Sequence, residues 1–462
     1  MPEDCGIPAV QRKRMSRNNQ QSFFHRAKPF WTLGLLLSLA ITLVGCQSLP
    51  LTFEVPWQTQ QSQQTPTATR PNPLTETPAR TETLPTPTVA LPPKQIILWV
   101  PPEMDPMGSD PAAEILRNKL NEFTHTYNVE VQVRLKALSG QAGLLDSLRT
   151  TSEAAPVVLP DLILLRDQDL DTAAQDGLIF TGESLASMMN DTDWFPYAQQ
   201  MSLVDEIVYG IPFIGDPLVM VYDSQNQLAP AAEWESIPTN YGYFGFAADD
   251  PQASFVLTLY LAMGGRVTDT QGRPMLEEAL LTKVLQLLKD ANTSRHINSH
   301  SLEMQSSIQV WEAFDDWMFD TAIVPAHLVL SAVKQSRIGL PKPVLTEPSR
   351  TTITGLAWAI SSPAPERQQM AINLLNSLEE TEFLAQWSEA FGILPARPSA
   401  LGQWKNETLK PALENISNAA MLFPANEIVS SLGPILRNAT LSVLRDNAEP
   451  KDAAEISVES IQ

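Results

Sequence analysis

The sequence predicts an α/β fold, and three observations carry that reading. From about Lys94 the chain alternates strand, helix, strand and helix, and one of those strands is apolar throughout. Such alternation around an uninterrupted apolar strand marks parallel strands covered by helices on both faces. The body that starts there runs to about 370 residues, more than one hydrophobic core usually fills, so two lobes are expected.

The elements follow in order. IILWV at 96–100 is the first strand. In AAEILRNKLNEF, helical spacing puts Ala112, Leu116, Leu120 and Phe123 on one face. VEVQVRL alternates Val129, Val131, Val133 and Leu135 toward one side of a strand. PDLILL is the continuous apolar strand, and a short helix after it ends at Gly177. The theme then repeats less regularly and closes in a helix-rich tail from Pro365 to Ile461, with no internal repeat.

Before this body stand two segments of other character. Residues 30–45 form an uncharged apolar run behind Arg12, Lys13, Arg14, Arg17, Arg26 and Lys28, the layout of an export signal. Sixteen helical residues reach only ~24 Å, short of the ~30 Å of a hydrocarbon core. The tetrad Leu43-Val44-Gly45-Cys46 resembles the lipobox of bacterial lipoproteins, which implies cleavage before Cys46 and a diacylglycerol on its thiol. An uncleaved signal anchor or an ordinary secretory signal are the alternatives. From Pro50 to Pro93 come ten prolines, eleven threonines and no glycine, a composition that favours an extended, solvated spacer. The expected division is therefore a signal at 1–45, a lipidated cysteine and linker at 46–93, and a binding body at 94–462.

Composition excludes several chemistries. Cys5 and Cys46 are the only cysteines, so a chain cut at Cys46 has no free thiol for catalysis, zinc or iron–sulfur ligation. Removing residues 1–45 takes six basic and two acidic residues from 31 and 52, and the net charge moves from −21 to −25. Such a surface repels phosphate backbones and disfavours anionic solutes, so no nucleic-acid partner is expected. No HExxH, GxSxG, P-loop or GxGxxG motif occurs. His296 and His300 stand at i, i+4 in a polar stretch that reads as a solvated loop, and the doublets Asp249/Asp250 and Asp315/Asp316 point apart, unsuited to flanking a glycosidic bond. No enzyme, metal or cofactor is expected.

Five segments, in order, resemble the extracellular solute-binding proteins of ABC importers, the broad family that includes maltodextrin and other sugar binders. They are PDLILL with QDGLI, YGIPFIGDPLVMVYDSQ, LAMGGRVTDTQGRPML, GLAWAISSPAPERQQMAINLLNSL and FGILPARPSAL. The resemblance implies a two-lobed periplasmic-binding-protein-like (type II) fold with a hinge and an interlobe ligand cleft. The first lobe would comprise about 94–213 and 335–361, the second about 217–330 and 366–462, with crossings at Phe213–Asp216 and Ser361–Pro365. It also implies a monomer at the extracytoplasmic face of the membrane, held by its lipid, that captures a small solute, expected to be a sugar, for an ABC permease. A sensor or scaffold lipoprotein without a transport role is the rival.

Ligand candidates come from the loops at strand ends, where α/β clefts put their sites. They are Trp99 and Glu103 after the first strand, Ser139 after the second, Asp216 at the hinge, Asp250 and Gln252 in the second lobe, and Trp358 in the returning strand. Core packing is the other reading of the two tryptophans, and turn capping the other reading of Asp216. Where sugar binders of this family commonly place stacking aromatics, this chain has Leu165 and Ile428-Val429.

Overall fold

The computed structural model describes residues 94–225, 242–332, 337–346 and 348–461. The signal at 1–45, Cys46 and the linker to residue 93 lie outside the described residues. Strand β1 (Lys94–Val100) opens the body. Helix α1 (Pro111–Tyr127) starts where the Asp110 carboxylate accepts from Ala113 N at 2.9 Å, with Pro111 in the first turn, where a missing N–H leaves no bond unmade. Asn128 in the left-handed conformation ends it. Ala112, Leu116, Leu120 and Phe123 form its buried face.

β2 (Val129–Leu135) pairs in parallel with one edge of β1, α2 (Leu144–Ala154) follows, and β3 (Leu162–Arg166) pairs in parallel with the other edge. Next come α3 (Asp167–Gln175), α4 (Glu183–Met189), α5 (Pro196–Met201) and a hairpin of β4 (Leu203–Val204) and β5 (Ile207–Val208). Strand β6 (Gly210–Tyr222) leads to β7 (Phe244–Gly245), α6 (Ser254–Ala262), α7 (Glu278–Thr293) and α8 (Ser307–Asp315). β8 (Thr321–Pro325) and α9 (Ala326–Ala332) precede β9 (Lys342–Pro343), β10 (Leu345–Thr346) and the long β11 (Ser349–Ile360). The tail holds α10 (Pro365–Leu378), α11 (Thr381–Phe391), β12 (Leu394–Pro395), α12 (Pro398–Gly402), α13 (Lys410–Ala419), β13 (Ala420–Leu422), α14 (Asn426–Leu444) and α15 (Pro450–Glu459).

The main strand order is β2-β1-β3-β11-β6-β8-β7. β11 lies antiparallel between β3 and β6, so the sheet is mixed rather than all parallel. β6 and β11 pass from one lobe into the other. β6 pairs with β11 as far as Pro217, and from Leu218 to Tyr222 it pairs with β8. β11 pairs with β13 from Thr351 to Ile353 and with β3 from Leu356 to Ile360. Its change of partner therefore precedes the crossing expected at Ser361–Pro365.

Two glycines face each other at this point, Gly215 opposite Gly355. A Cβ on Gly215 would stand 2.5 Å from Ile353 Cδ1 and 2.6 Å from the Tyr197 hydroxyl, and one on Gly355 would strike Met201 Sδ. Close backbone approach is what glycine permits here.

The first-lobe sheet is covered on one face by α1, α10 and α11, whose Leu116, Leu374 and Leu384 share one core with Leu98. Its other face carries α2 and α3, whose Leu148 and Leu170 share a second core with Ile163. In the second lobe Met220, Phe246, Leu285 and Leu436 gather in a separate core. The expectation that all of 366–462 belongs to the second lobe does not hold. α10 and α11 pack on α1, and a third passage at β13 carries the chain to α14, which packs on α6 and α7.

Candidate functional site

A cavity of about 230 Å³, open to solvent, lies at the hinge. Lobe one contributes Leu138 after β2, Arg166 at the end of β3 and Gln168 in the first turn of α3; the crossing strands contribute Gly215, Asp216, Thr354 and Gly355; beyond them stand Gln252 and Phe423. Arg166, Asp216 and Thr354 arrive there because a strand ends or changes partner, while Gln168 comes from the first turn of α3 and Gln252 from the loop before α6.

Arg166 and Asp216 are the charged side chains on this lining, and both are paired. Arg166 Nε donates to Asp169 Oδ2 at 2.9 Å and Nη2 to Oδ1 at 2.8 Å, the two-pronged geometry that suits guanidinium and carboxylate. Asp216 Oδ1 accepts from His327 N at 3.0 Å, and its Oδ2 lies 2.6 Å from His327 Nδ1. Asp216 thereby caps the start of α9. Burial works against a charged His327 ring, but the hydrogen bond and the charge of Asp216 outweigh it and raise the imidazole pKa. Each charged group on the cavity wall thus has a hydrogen-bonded partner within the chain.

A recess of about 120 Å³ shares Leu138 and Arg166 with this cavity and adds Ser139, Gly140 and Arg149. A wider groove of about 890 Å³ runs along α1 and α11 and touches the second lobe at Leu330. It holds none of the sequence candidates, and its Glu389 already accepts from Lys405 N and Asn406 N. The hinge cavity is the better candidate because both crossing strands and both lobes line it.

The structure brings Asp216 and Gln252 together in the cavity and puts Ser139 in the adjoining recess. Glu103 is exposed on a single turn, Pro102–Met104, away from these cavities. Asp250 is turned to its own loop, where its carboxylate accepts from Gln252 N at 3.0 Å and Ser254 N at 2.9 Å and caps α6. Trp99 and Trp358 are core residues, 2% and 0% exposed, and neither lines the cavity. Trp358 packs on Phe213 with ring centroids 5.1 Å apart, because β11 has a helical layer on each face. Arg166, Gln168, His327 and Phe423 are absent from the sequence candidates. Arg166 is the residue just after Leu165, so the sequence signal was the first polar side chain to end an apolar strand.

Among the described residues no cluster of three or more His, Cys, Asp or Glu could hold a metal ion. Among them, too, no helix is long and apolar enough to cross a membrane.

A two-lobed α/β body with its cavity at the crossing strands defines a class of protein that closes on a solute. Residues 120–412 match the model of the bacterial extracellular solute-binding proteins, and the chain belongs to that family. Solved structures agree in fold. The maltose-binding periplasmic protein MalE of Listeria monocytogenes, in complex with maltose, superposes with a TM-score of 0.62 at 15% identity, over 80% of this chain and 97% of that one. Maltose-bound MalE3 of T. maritima gives 0.60 at 15% identity, over 79% and 98%. The GacH receptor of Streptomyces glaucescens GLA.O, solved unliganded and with acarbose, gives 0.59 at 14% identity, over 80% and 98%. No curated protein matches the chain in sequence.

Proposed function

We propose that the protein captures a small neutral carbohydrate between its lobes, on the extracytoplasmic side of the membrane, and delivers it to an ABC permease. The observation that carries this reading is the hinge cavity, whose charged lining residues are already paired with partners of this chain. A site whose charged groups are already hydrogen-bonded within the chain favours a neutral, hydroxyl-rich solute over an ion. At about 230 Å³ it falls below the ~300–1,000 Å³ of pockets for drug-sized ligands, which suits one or two sugar rings. The solute works by differential affinity. It binds the closed form better, shifts the population toward it, and so presents both lobes together to the permease.

The test is a thermal melt of refolded protein against glucose, maltose, maltotriose, polyols, amino acids and sugar phosphates. A solute at a hundredfold excess over Kd adds about 2.7 kcal/mol, several degrees for domains of this size. A shift with a neutral saccharide alone is expected; a shift with sugar phosphates or amino acids alone would replace the ligand class. No shift with any compound would favour a sensor or scaffold role.

The reading includes a lipid anchor on Cys46. Cys46→Ala is expected to move the protein from the membrane to the soluble fraction, whereas retention of the variant would mark a signal anchor.

A further inference from the structure

Three consecutive residues at the start of α3 each bond to a segment by which the chain passes between the lobes. Asp167 Oδ1 accepts from Gly355 N of β11 at 3.2 Å. Gln168 Nε2 donates to Pro424 O, just beyond β13, at 2.7 Å. Asp169 Oδ1 accepts from Nδ2 of Asn426, the first residue of α14, at 2.9 Å. Gln168 and Asp169 are 8% and 3% exposed, so these bonds are formed out of water, where an unmade one is costly.

The same residues reach the solute cavity. Gln168 lines it, and Asp169 holds the guanidinium of Arg166, which also lines it. Gln168 and Phe423 line in addition a second cavity of about 250 Å³, bounded by Asp167, Met201 and Leu422. The row Asp167-Gln168-Asp169 therefore stands between two solvent-open clefts, with one lobe's helix start tied to the other lobe's helix start.

We infer that Asp167-Gln168-Asp169 is a clasp that couples occupancy of the cavity to lobe closure, with Asp169 positioning Arg166 toward the solute. Closure makes the bonds to Pro424 and Asn426, and a solute that engages Arg166 and Gln168 fixes the donors and acceptors that make them. The inference rests on the solute-binding reading of this cavity, but its central test does not need a solute.

Asn426→Ala removes one bond from the clasp and leaves Asp169 paired with Arg166, so no buried charge is orphaned. Asn426→Asp sets a like charge against Asp169 and should act further in the same direction. Each is compared with wild type on the full chain, by small-angle scattering and by hydrogen exchange over residues 353–356 and 423–428 in the absence of solute. Affinity for glucose and maltose is then measured by calorimetry. The clasp predicts a larger radius of gyration and faster exchange in both variants, most in Asn426→Asp, together with the fall in melting temperature that a lost buried hydrogen bond brings. Affinity for whichever sugar wild type binds should fall roughly tenfold, the loss expected for one hydrogen bond to a charged group. An unchanged radius and exchange, with sugar affinity intact, would overturn the clasp and leave the carbohydrate reading standing. A larger radius in variants of a protein that binds neither sugar would uphold the clasp and remove the carbohydrate reading.

Discussion

Asp216 answers to two demands at once, and a substitution separates them. Its carboxylate caps α9 through His327 N and also faces the cavity. Asp216→Ala is expected to weaken solute binding by about 1.5–3 kcal/mol, the range for a charge-assisted bond, with a smaller loss in melting temperature. Calorimetry and a melt on the same samples check this; lost stability with intact affinity would leave Asp216 as a cap only. The place of Asp216 and Gln252 on the cavity wall could be read from the sequence because strand ends and turns announce themselves through Gly, Pro and Asp. The tryptophans could not, since Trp99 and Trp358 sit in strands covered on both faces, where an aromatic has the same local surroundings in sequence whether it meets solute or helix. His327 was hidden for another reason. Its role depends on a partner on β6, far away in the chain, and a lone histidine after an apolar strand gives no local sign of that.

At the scale of elements, the crossing strands carry the mechanism. Gly215 meets Ile353 and the Tyr197 hydroxyl so closely that any Cβ there would displace those side chains or the strand itself. Gly215→Ala is expected to cost about 1–3 kcal/mol in stability, as overpacking commonly does, and to weaken solute binding because the displaced strand carries Asp216. Chemical denaturation and a solute titration check both effects, and a variant unchanged in either would mean that the strands can part at no cost. α1 and β3 were legible because periods of 3.6 and an unbroken apolar run are local signals. The antiparallel placement of β11 and the docking of α10 and α11 on the first lobe were not. Both are decided by partners such as Arg166 opposite Leu356, whose distance along the chain leaves no pattern in any short window.

For the molecule as a whole, pH is the simplest lever. Burial pushes the Asp167 carboxyl up to about 7, against the opposing hydrogen bonds from Gly355 and Gln168, and pushes Glu379 up to about 8, against Arg397. His327 is also raised, by Asp216 against its burial. Each group holds its proton more tightly folded than unfolded. Each therefore adds stability that is full below its unfolded pKa and lost as pH rises through its folded value. The melting temperature is expected to fall between about pH 5 and about pH 8, and Asp167→Asn with Glu379→Gln to flatten that slope. A melt series in matched ionic strength checks it; a flat wild-type profile would mean that both carboxyls stay ionised in the folded protein. The strand order has a further consequence, for the birth of the protein. The first lobe's sheet holds β11 between β3 and β6, so it cannot be completed until residues 349–360 have left the ribosome. Pairings so distant in sequence make folding slow, because the long loop must close before its contacts form. A chain that stays open until its last quarter emerges is one that can still be threaded through an export channel.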